Sequence, residues 1–152
     1  VITIQNEYTN IYQAARKAAG FTQERAAELL GLSVESIKAY EGDVTIPKNT
    51  VVKNMVDVYG ASFLAVQHLR ASTDLARDII PDIKETDLST AVIRLLNRIR
   101  IFANQHRTDR LLEIADDGKI DMLEREDYKA ILSELDEIVR SALELKYIRE
   151  VE

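Results

Sequence analysis

The side chains able to do covalent or metal chemistry in this 152-residue chain are few and poorly spaced for it. There is no cysteine, which removes thiolate nucleophiles, thiolate metal sites and disulfides. The two histidines, His68 and His106, lie far apart with no ligand spacing; the first is expected on a helix surface, the second near a helix end. Asp117-Gly118-Lys119-Ile120-Asp121 with Glu124 looks like the back of a calcium loop, but counting backwards puts Ala115 at a ligand position and Lys119 beside the site. It reads as a turn between helices. No phosphate loop, nucleophile elbow or paired acids in an evident cleft stand out. The expectation is a non-enzyme with no cofactor and no metal, and the informative stretch is TQERAAELLGLSVESIKAYEGD, residues 22–43.

The elements that position this stretch are helices. Strand signals are nearly absent, and the chain is all-α by its periodicity. Glycines and prolines divide the first seventy residues into five helices: 6–19, 22–30, 33–40, 47–59 and 62–70, with Thr22 and Ser33 as capping hydroxyls. Within residues 22–43, Ala27 sits where two crossing helices approach closely. Gly31 can take the left-handed conformation of a sharp turn, and Leu30, Leu32 and Ile37 can lock the pair. This is helix-turn-helix geometry, whose second helix lies in the DNA major groove.

The pattern resembles the lambda-repressor/Cro-like (XRE) family of transcriptional regulators from bacteria and their phages. Arg16 stands four residues before Gly20, followed by Phe21-Thr22-Gln23; Ala27, Gly31 and Ser33 mark the turn; Ile37, Tyr40 and Glu41 close the second helix; Pro47 follows. The similarity spans roughly residues 6–70. Three departures are visible: Ala26 replaces a larger apolar residue, Glu35 brings negative charge to the DNA face, and the glycine after Glu41 comes one position early, at Gly42. The resemblance implies roles. Gln23 matches a phosphate or base contact. Val34, Glu35, Ser36 and Lys38 would face base edges: Val34 against a thymine methyl, Glu35 accepting from a cytosine amino group, Ser36 as donor or acceptor, Lys38 at guanine or a phosphate. Lys48 and Asn49 would clamp the backbone at a helix start. Arg16 and Glu41 match a structural ion pair inside the domain.

Charge is unevenly spread. The chain carries a net −6, yet residues 1–72 hold seven basic and seven acidic side chains against thirteen and nineteen in residues 73–152. One neutral DNA-binding head should bind weakly and with strong salt dependence. Residues 71–86 read as a connector, holding a short helix before Pro81 at most. Residues 87–152 read as a module of about three helices. One stripe runs through Leu88, Val92, Leu95, Leu96, Ile99, Phe102 and Ala103. Another runs through Tyr128, Ile131, Leu132, Leu135, Ile138, Val139, Ala142 and Leu143, with Ile93, Ile101, Leu145, Tyr147 and Ile148 off these stripes as a candidate dimer face. The expected partners are double-stranded operator DNA and a second copy of the chain through residues 87–152. The alternative is an antitoxin-like module whose acidic second half captures a protein. No apolar run suits a membrane span, VITIQNEYTN lacks signal-peptide character, and a cytoplasmic repressor is the expectation.

Overall fold

A computed structural model describes residues 10–149. The described residues form nine α-helices and no strand: α1 Ile11–Ala18, α2 Gln23–Leu30, α3 Val34–Glu41, α4 Asn49–Tyr59, α5 Ser62–Ser72, α6 Asp74–Ile79, α7 Leu88–Asn104, α8 Arg107–Ala115 and α9 Arg125–Lys146. They fall into two compact units. One runs through Ile80 and includes Arg149; the other is Pro81–Ile148.

The first unit packs α1 to α5 around Tyr12, Ala26, Ala27, Ile37, Val52, Met55, Tyr59 and Leu64. Residues 6–9 of the expected first helix lie outside the described residues. Asn10 caps α1 rather than continuing it. Its side-chain oxygen accepts from the Tyr12 and Gln13 amides at 2.9 and 3.1 Å, satisfying two amides that a helix start leaves without intrahelical partners. Its Nδ2 donates to the Tyr40 carbonyl and to Asp43, tying the start of α1 to the end of α3. The early glycine is accommodated by its neighbour. Gly42 has φ −93°, while Asp43 takes the left-handed φ of 57°. Aspartate tolerates that region better than most residues, and the Asn10 bond holds it there. The fourth helix starts later than Pro47 suggested: Lys48 is its cap residue, and Pro47 is buried just ahead of it.

The second unit pairs α7 with α9 in opposite directions. Ala91 and Ile131 are sealed between them, and Ile114 from α8 and Ile83 from the preceding segment are also buried. Two ion pairs cross the seam: Arg94–Glu144 at 2.5 Å and Arg98–Glu137 at 3.1 Å. The stripes expected on the inner faces are only partly inward. Leu88, Leu96, Ile99, Leu132 and Val139 are exposed. Each stripe is wider than the arc one neighbouring helix can cover, so the seam takes one edge and leaves the other to solvent. No described helix is long and apolar enough to cross a membrane.

Candidate nucleic-acid interface

The turn between α2 and α3 is fixed by its backbone. Gly31 has φ 64° and ψ 34°, a conformation that costs an L-residue with a Cβ roughly 1 kcal/mol or more. The Leu32 amide then reaches the Ala27 carbonyl at 2.9 Å and the Gly31 amide reaches that of Glu28, the paired bonds of a Schellman end. Ser33 restarts the chain as a helix. Its hydroxyl accepts from the Ser36 amide at 3.1 Å and pairs with the Ser36 hydroxyl at 2.9 Å. Ala26 and Ala27 are buried at the base of the pair, and Ile37 is 1% exposed. The missing bulk at Ala26 therefore lies in the core, where its small side chain lets the helices approach.

With Ile37 turned inward, α3 leaves Glu35 and Lys38 exposed and Val34 and Ser36 half-buried. Neither Glu35 nor Lys38 is in an ion pair among the described residues. Ser36 shares its hydroxyl with the cap of its own helix, leaving one fewer bond for anything outside.

Behind this face, Arg16 and Glu41 form a two-pronged ion pair, Nε to Oε1 at 2.6 Å and Nη2 to Oε2 at 2.9 Å, with side chains 7% and 4% exposed. The same guanidinium donates to the Phe21 carbonyl at 2.6 Å, and Gln23 donates its amide to Glu41 at 2.9 Å. Burial pushes the Glu41 carboxyl up, but the hydrogen bonds from Arg16 and Gln23 outweigh it and hold the group below its ordinary range. Gln23 thus stands at the start of α2 with its NH2 group turned toward Glu41, which fixes the plane of the amide and its remaining oxygen.

At the head of α4, Lys48 is exposed and supplies no side-chain cap. Asn49 is engaged from behind: its Oδ1 lies 2.8 Å from His68 Nε2, and His68 Nδ1 lies 2.8 Å from the Tyr12 hydroxyl. His68 is 4% exposed, which corrects the surface position expected for it. The apolar neighbours on α5 gave no hint that this polar ring turns inward between α1 and α4. A neutral ring donates from one nitrogen and accepts at the other. With Oδ1 as acceptor, Nε2 carries the proton and Nδ1 accepts from the phenol. The outer NH2 group of Asn49 is thereby aimed away from the core, beside Lys48. Sequence reasoning missed His68 and Asn10 as positioning groups. Both are short-range polar residues whose partners lie more than fifteen residues away, and no local spacing marks them.

Burial lowers the His68 pKa from its ordinary value of 6.5. The unfolded chain therefore binds the proton first as pH falls. The stability tied to neutral His68 is whole above pH 6.5 and is lost as pH drops through the folded-state value. The lowered Glu41 adds a loss only at more acid pH, below its ordinary 4.5. We expect the melting temperature to fall between pH 7 and 5.5 in the native chain and to change less in His68→Gln. Equal slopes in the two proteins would show that His68 is not the group responsible.

Residues 13–71 match a family model described as a helix-turn-helix domain. No match was found among curated proteins or among solved structures. The matched span runs from within α1 to the last turn of α5, and it contains the Gly31 turn and the whole of α3. The chain carries a helix-turn-helix domain followed by further helices.

Proposed function

We propose that this protein is a sequence-specific DNA-binding transcriptional regulator of the lambda-repressor/Cro-like kind. It acts as a repressor, because blocking a promoter requires only occupancy. The observation that carries this reading is the α2–Gly31–α3 unit, with Ile37 buried and the opposite face of α3 open. In such domains the second helix enters the major groove. Val34, Glu35, Ser36 and Lys38 then meet base edges, Gln23 meets a phosphate or a base, and Lys48 and Asn49 meet the phosphodiester backbone. The supporting geometry is the fixed Gln23 amide at the start of α2 and the Asn49 amide held by His68. Arg16 and Glu41 stay inside the domain as its structural pair. Residues 1–70 are the DNA-binding domain, 71–86 the connector, and 87–152 the module through which two copies join. Two heads on neighbouring half-sites compensate for the balanced charge of each one. This is a cytoplasmic role without catalytic, cofactor or metal chemistry.

Binding of labelled operator DNA to single variants tests the contact face. Lys38→Ala and Gln23→Ala should each weaken binding by about 1–3 kcal/mol where the side chain reads a base, with folding intact by circular dichroism. Native affinity in both would remove the face from consideration. A second reading, an antitoxin-like module, is favoured by the acid excess of residues 73–152. A tight complex between those residues and the product of a neighbouring gene would support it, and it is compatible with DNA binding.

A further inference from the structure

The seam between α7 and α9 has two unlike edges. One carries the Arg94–Glu144 and Arg98–Glu137 pairs, with Glu144 buried and also accepting from the Lys84 amide. At 100° per residue, the opposite edge of α7 is drawn by Leu88, Leu96 and Ile99, and that of α9 by Tyr128, Leu132, Leu135 and Val139. Five of these are strongly exposed: Leu88 and Leu96 at 59%, Val139 at 50%, Ile99 at 46% and Leu132 at 40%. Meanwhile the unit's own core is thin. Its buried apolar side chains are Ile83, Ala91, Ile114 and Ile131, of which only Ala91 and Ile131 are fully enclosed.

We propose that this apolar edge is the docking face for a second copy of the chain, with α9 lying antiparallel against α9 of the other copy. The inference rests on the dimer reading given above and names its surface, which differs from the off-stripe residues expected from sequence. Three observations single out a second copy as the occupant. The α9 stripe is spaced 4-3-4, the repeat of helices that pair along their length. Reversed upon itself, it sets Leu132 opposite Leu135 and Val139 opposite Tyr128 in one register. That same register brings Lys129, on the flank of the stripe, beside Asp136 of the other copy, and the two-fold axis repeats the pair. Asp136 is in no ion pair among the described residues, and Lys129 reaches only Glu126, an exposed i,i+3 neighbour at 3.2 Å. No charged residue interrupts the stripe from Tyr128 to Ala142.

Sedimentation equilibrium of the full chain over a wide concentration range tests the face. The native chain should be a dimer. Val139→Asp should weaken it by on the order of a hundredfold, because each copy then buries an unpaired carboxylate. Lys129→Glu, on an exposed position that cannot upset folding, should weaken it several-fold, and Lys129→Glu with Asp136→Lys should restore native association. A native dimer unaffected by Val139→Asp and Lys129→Glu would overturn this face and leave the dimer reading standing. A native chain that stays monomeric at every concentration would overturn both. A dimer weakened by Lys129→Glu but not restored by the double exchange would overturn the antiparallel register.

Discussion

Arg16→Ala should lower the stability of the protein by about 3–5 kcal/mol, the cost of leaving the partner of a buried ion pair uncompensated. The size follows from how completely the pair is enclosed. The two side chains are 7% and 4% exposed, and Glu41 would keep only the Gln23 amide as a partner. The Phe21 carbonyl would lose its guanidinium donor as well. Urea unfolding of Arg16→Ala, Glu41→Ala and the double variant separates pairing from packing. Each single change should be severe, and the double change should cost clearly less than the sum, because it leaves no orphaned charge. A loss below about 1 kcal/mol for Arg16→Ala, the range of exposed pairs, would mean that water reaches the pair in solution. DNA binding should follow stability here: at temperatures where Arg16→Ala remains folded, its affinity should change little, because Glu41 still holds the Gln23 amide.

Ile37→Ala should cost about 2–5 kcal/mol, the range for emptying a well-packed aliphatic site. Ile37 is 1% exposed and is the one buried apolar side chain of α3, where it anchors that helix against α1 and α2. The eight-residue helix is too short to persist by itself. The alanine variant should therefore lose DNA binding and thermal stability together, whereas Ile37→Val should lose only about 0.5–1.5 kcal/mol and keep its affinity. An alanine variant with native affinity would show that the recognition helix is held by something other than its core contact.

Much of the first unit was legible because its signals are local. Thr22, Gly31 and Ser33 announce a cap, a left-handed turn and a second cap within twelve positions, and the structure uses each of them as such. Helix boundaries slipped where a long-range bond decided them. Asn10 looks like a polar helix residue until its amide is seen reaching Tyr40 and Asp43, and that contact is what halts the chain there. His68 is a polar residue among the apolar residues of α5, and its partners Tyr12 and Asn49 lie fifty-six and nineteen positions away. In the second unit, periodicity identified the helices but not which edge of each stripe faces the seam. The seam is centred on Ala91 and Ile131 and flanked by the crossing pairs Arg94–Glu144 and Arg98–Glu137, and nothing in the spacing of either helix alone selects those partners.

The central claim is that the open face of α3 reads duplex DNA. The most direct test is fluorescence anisotropy of the full chain, first on a random-sequence duplex pool to select a preferred site, then on that site across a salt titration. A selected half-site repeat with tight binding that falls linearly on a log–log salt plot, together with loss of preference in Lys38→Ala, is the predicted result. Absence of any enriched site, with no binding even at low salt, would contradict it.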